Sequence, residues 1–254
     1  MHPAVEAVVL VPALAVAYAF ARPEPRRALA AIAALALIAA AFVTKLQPFA
    51  QHTFLWAHLL QNVVLAEWAP ALLVYAIPPR LAARVRISPL VALPLWIAVY
   101  FTWHLPWAYD FALDHPHSVL HVEHLSYLAA GIGVWWPVFH GEYSAGAKAA
   151  YLFAAFVLAS PLGLVLALVQ RPLYSVYAHA PRTWGPSPLA DQQIAGVTMA
   201  IEQAAVFFAL FAHYLLRFLR EEQASGLVEA DLFRQRLRRG DEPGVDEEFA
   251  RIVR

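Results

Sequence analysis

Seven long apolar runs constrain this chain more than any other feature. They lie at about 4–20, 28–44, 54–77, 89–109, 118–138, 147–170 and 191–218. Each is near the ~20 mostly apolar residues that carry a helix across a bilayer. Breaks bearing Pro and Arg separate them, as in Arg22-Pro-Glu-Pro-Arg-Arg27, Pro78-Pro79-Arg80 and Arg171-Pro172. In lipid the backbone must satisfy its own hydrogen bonds, so the runs are expected as helices. The alternation of a barrel strand is absent. Composition agrees: 61% of the residues are hydrophobic and 14% charged, against about 25% charged in soluble domains. The expected fold is an all-α integral membrane bundle of seven transmembrane helices over residues 1–219, with a charged tail over 220–254.

Basic residues set the expected orientation. Arg22, Arg26 and Arg27 fill the first loop, and Arg80, Arg84 and Arg86 the third. Arg220, Arg234, Arg236, Arg238 and Arg239 follow the last run. The second loop has only Lys45 and the fourth has no Lys or Arg. The positive-inside rule then puts the N-terminus outside and the C-terminus in the cytoplasm. The tail reads as a short cytoplasmic helix and a loose end broken at Pro243 and Gly244. Glu6 replaces the basic n-region of a signal peptide, so no cleavage is expected.

Several chemistries are excluded. There is no Cys, and Met occurs only at Met1 and Met199, so thiolate and thioether metal routes are closed. A formal net charge of zero gives no reason to expect nucleic acid. Histidine remains. His52, His58, His104, His115, His117, His121, His124 and His179 all fall toward the outer side in this topology. His117, His121 and His124, spaced by four and three, share a helix face. His58, His104, His121 and His124, with Asp191 at a similar depth, form a ligand set suited to copper or zinc. Gln61, Asn62 and Glu123 are expected to fix imidazole tautomers. His115 and His179, in loops, are expected to have no such role.

Two acids lie inside spans, where ionisable groups are costly. Glu67 in the third run and Glu202 in the seventh fall at comparable depth, and Gln203 is beside Glu202. They are expected to hydrogen-bond between helices, with a shared proton as the alternative.

Several stretches together resemble the CtaG family of cytochrome c oxidase assembly factors of the caa3-associated type. They are His58-Leu-Leu-Gln61, Ala69-Pro70-Ala-Leu-Leu73, Trp103-His-Leu-Pro106, His121-Val-Glu-His124, Trp135-Trp-Pro137, Pro172-Leu-Tyr-Ser-Val-Tyr177 and Ser187-Pro-Leu-Ala-Asp-Gln-Gln-Ile-Ala-Gly196. The similarity runs from about His52 to Gly196. It implies a multi-pass protein of the bacterial inner membrane that helps build a haem–copper oxidase, with oxidase subunits as partners and a part in copper handling. By position it points to His58, His104, His121, His124 and Asp191. The family pattern usually has a second His four residues after the first, where this chain has Asn62, so the site holds fewer His than in relatives or recruits His52 or His117. The alternative function is a seven-helix membrane zinc hydrolase using the same His and Asp residues, which a nearby Ser118 or Ser126 would favour.

Overall fold

The computed structural model describes Ala4 and residues 6–239, and these contain helices and no strand. In chain order the helices are α1 (Glu6–Ala21), α2 (Pro25–Val43), α3 (Leu46–His52), α4 (Leu55–Ala76), α5 (Pro79–Ala82), α6 (Pro89–Trp103), α7 (Pro106–Asp114), α8 (Val119–Phe139), α9 (Ala145–Leu168), α10 (Ser175–Ala178) and α11 (Pro188–Arg239). Four of them, α2, α4, α9 and α11, are long and apolar enough to cross a membrane. The bent pair α6–α7 makes a fifth if counted as one span. The other two apolar runs are helical too. The helix α1 is shorter than a full span, and α8 has 21 residues but carries His121, Glu123 and His124 in its first turns.

The helix expected in the tail is continuous with the last apolar run. The helix α11 continues without a break for 52 residues, about 78 Å at 1.5 Å per residue. It outruns any bilayer, and residues 221–235 are exposed. The loose end expected around Pro243 and Gly244 lies outside the described residues.

At the centre stands α4, with 72% of its apolar window buried against 28–33% for α2, α9 and α11. It packs against α2, α8 and α11, while α9 pairs with α11 and α6 with α8. Pro70 shapes this helix. Its ring offers no N–H to the Ala66 carbonyl and crowds it. A π turn runs over Val64–Trp68 just before Pro70, a single-turn bulge of the kind found inside α-helices. The indole Nε1–H of Trp96 donates to the Ala66 carbonyl at 3.3 Å, and that of Trp135 to the Glu67 carbonyl at 2.9 Å. Gly131 lets α8 approach this turn, since a Cβ there would sit 2.5 Å from the Ala66 oxygen.

The two ends of the bundle differ in chemistry. At one end arginines cap helix C-termini, where unpaired carbonyls favour cations. Arg27 donates to the carbonyls of Tyr75 and Ile77, and Arg80 to that of Ala21. The histidines His58, His104, His121 and His124 gather at the opposite end, where α6 breaks. His104 ends α6, Leu105 is extended before Pro106, as a residue preceding proline prefers, and the chain turns by 72° into α7.

Candidate metal centre

At the sharp end of α6, the His104 ring turns back onto the Tyr100 carbonyl. Its Nδ1 lies 2.8 Å from that oxygen. A carbonyl only accepts, so Nδ1 carries the proton and the lone pair is on Nε2. The Tyr127 hydroxyl lies 3.1 Å from the same Nδ1.

His58 is fixed by a longer chain of the same logic. Its Nδ1 is 2.9 Å from the Tyr177 hydroxyl, which itself donates to the Ala50 carbonyl. That hydroxyl has one proton, so His58 Nδ1–H is the donor and Nε2 is again bare. Tyr177 is presented by α10, whose first N–H groups and Ser175 Oγ donate to Asp110 at 2.7–3.2 Å. His124 makes the third case. Its Nδ1 lies 2.7 Å from Glu6 Oε1, and His121 Nδ1 lies 2.6 Å from the same oxygen.

His58, His104 and His124 are 1%, 5% and 2% exposed. The Nε2 atom of each is buried and has no hydrogen-bond partner. Glu123 is fully buried, with Oε1 3.5 Å from His58 Nε2. It is within electrostatic range of all three rings. Asn62 Nδ2 donates to Glu123 Oε1 at 2.9 Å, while Glu123 Oε2 and the Tyr109 hydroxyl are unpartnered. The His58 ring stands 4.9 Å from Tyr109 and 6.1 Å from His124, centroid to centroid. Unpaired polar atoms in a dry interior cost about 1–3 kcal/mol each. Imidazoles held through Nδ1 with Nε2 free are arranged as metal ligands are. Among the described residues, the group whose ligand atoms all lie within 4.8 Å of one another is Glu6, His121 and His124, and the free Nε2 atoms of His58, His104 and His124 lie buried beside it.

The structure separates the sequence candidates. It brings together His58, His104 and His124, with His121 one turn outward and 24% exposed. It places Asp191 elsewhere. Its Oδ2 accepts from Leu55 N–H and from Arg182, both at 2.9 Å, and its Oδ1 accepts from Trp56 N–H at 3.1 Å. Asp191 thus caps the start of α4 and pairs with Arg182. Gln192 beside it latches the preceding loop, accepting from Leu173 N–H and donating to the Arg171 carbonyl. His52, His115, His117 and His179 are exposed. Gln61 donates to the Ala41 carbonyl and to Gln47. Ser126 donates to the Glu123 carbonyl and accepts from Trp103.

Three residues that hold these rings were not among the sequence candidates: Tyr127, Tyr177 and Glu6. Tyr177 had no signal beyond its place in a motif. Glu6 had one: an acid opening an apolar run is costly unless it has a partner.

Deeper in the bundle, Gln203 Nε2 donates to Glu67 Oε1 at 3.0 Å and to the Tyr100 hydroxyl at 2.6 Å. Trp68 donates to Glu202 Oε2 at 2.9 Å. The two acids lie within each other's field, so the expected bonds between helices are formed.

The family model described as cytochrome c oxidase caa3 assembly factor matches residues 8–221. No curated protein and no solved structure matches the chain. The matched region takes in every histidine of the buried group and the Asp191 cap, and the chain belongs to the caa3-type cytochrome c oxidase assembly factor family.

Proposed function

We propose that this assembly factor binds copper at His58, His104 and His124, with Glu123 beside them, and supplies it to the oxidase during assembly. The observation that carries the reading is the set of three buried imidazoles, each tied at Nδ1 and bare at Nε2. Nitrogen ligands with a carboxylate suit copper or zinc. Copper is preferred because the family serves a haem–copper oxidase. Here the ion is cargo, and the chain's task is to hold it dry and give it up.

Seven spans, with the N-terminus outside, fit this role. The short α1 and the His-bearing α8 complete the count, and the histidine end then faces the outside of the bacterial plasma membrane. The arginines that cap α1 and α4 then lie in the cytoplasm, as the positive-inside rule requires. The zinc-hydrolase alternative has less support, because Asp191 and Ser126 are both engaged in structural hydrogen bonds.

Elemental analysis of the detergent-purified protein tests the reading, with absorption spectra recorded for wild type and a His121→Ala/His124→Ala variant. Near-stoichiometric copper, absent from the variant, is expected. Zinc lost in the same way would transfer the case to the hydrolase, and no metal in wild type would overturn both.

A further inference from the structure

The buried group raises a question of access, since its nitrogens are sealed from solvent. Just outside it lies a second constellation. Glu6, His121 and His124 offer three ligand atoms within 4.8 Å of one another. Glu6 comes from the opening π turn of α1 and is 4% exposed. His121 is 24% exposed, so this group reaches the surface. Both rings converge on one carboxylate oxygen at 2.6 and 2.7 Å.

His124 belongs to both groups. It turns Nδ1 to Glu6 and keeps a buried, unpartnered Nε2 on its other side. We infer that Glu6, His121 and His124 form a receiving site for a divalent or cuprous ion, and that the ion passes through His124 to His58, His104 and Glu123. This rests on the copper reading above and names the route into that site.

A neutral imidazole has one lone pair. In the receiving state Nδ1 of His124 is the ligand and Nε2 holds the proton. In the buried state Nε2 is the ligand, and Nδ1–H donates to Glu6, as the structure shows. The transfer releases one proton from Nε2 and takes up one at Nδ1, so it is proton-neutral. Full ligation at the two sites is mutually exclusive, and the chain carries one ion at a time. Glu6, freed of the ion, closes over it as a hydrogen-bond acceptor.

Cu2+ added to the full chain in detergent tests this. The readouts are copper per chain, the nitrogen couplings in the EPR spectrum, and loading followed by stopped-flow quenching of tryptophan fluorescence. Glu6→Gln keeps an acceptor oxygen but loses the anionic ligand, and His121→Ala removes the exposed ring. Both are expected to bind one Cu2+ with the wild-type spectrum and to load about tenfold more slowly. His58→Ala/His104→Ala is expected to hold Cu2+ with a carboxylate-and-two-nitrogen spectrum, lost on adding Glu6→Gln. Wild-type loading rates in Glu6→Gln and His121→Ala would overturn the route, leaving Glu6 as an anchor for the rings and the buried site intact. A wild type that binds no Cu2+ would overturn the copper reading and the route with it. The rate comparison does not depend on the double variant folding.

Discussion

Asn62 of α4 donates its side-chain amide to Glu123 of α8 across 2.9 Å. The resemblance led to the expectation of a further histidine at this position. In the structure its amide is spent on the Glu123 carboxylate, which makes it a support for that group in the proposed site. Asn62→Leu removes the only hydrogen bond that the Glu123 carboxylate receives among the described residues. We expect copper affinity to fall about 10–100-fold, with one ion still bound at saturation. Titration against a chelator of known affinity measures this; an unchanged affinity would remove Asn62 from the site's support.

Asp191 is expected to behave as a structural residue. Asp191→Ala strands Arg182 and two N–H groups of α4, and breaking a buried pair costs about 3–5 kcal/mol. Thermal unfolding in detergent should show the loss. The milder Asp191→Asn should keep its copper. Copper lost from Asp191→Asn at an unchanged melting temperature would return Asp191 to the ligand set.

The acids in the middle of the bundle are expected to tolerate neutral replacement. Glu67→Gln and Glu202→Gln keep an oxygen for Gln203 and Trp68, so oxidase assembly should proceed as in wild type. Gln203→Leu leaves Glu67 and Tyr100 without their shared donor and should lower stability by about 1–3 kcal/mol. Oxidase activity abolished by either Glu→Gln change, with the melting temperature intact, would instead show that a proton moves there.

Gly131 is where α8 meets the π turn of α4. In Gly131→Ala the added Cβ would meet the Ala66 oxygen at 2.5 Å and Pro70 Cγ at 2.6 Å. Overpacking of this kind costs about 1–3 kcal/mol. Since α4 and α8 together carry His58, Glu123 and His124, copper affinity should fall along with stability. Gly133→Ala, where a Cβ meets nothing within 4 Å, is the control and should leave both unchanged.

The sequence by itself determined the helical class. Runs of ~20 apolar residues leave the backbone no other way to satisfy its hydrogen bonds in lipid. It also singled out His58, His104, His121 and His124, because ionisable residues in apolar runs are costly without a purpose. The partners of these rings were decided by the fold. Glu6 is 115 residues from His121 and Tyr177 is 119 from His58, and no spacing rule joins residues on separate helices. Asp191 shows the same limit from the other side. Its depth matched the histidines, but the nearby start of α4 and Arg182 claimed both of its oxygens. Residue type and periodicity fix what a segment can be. Which nitrogen of a ring is left bare depends on the acceptor that packing brings to the other, and only the tertiary structure supplies it.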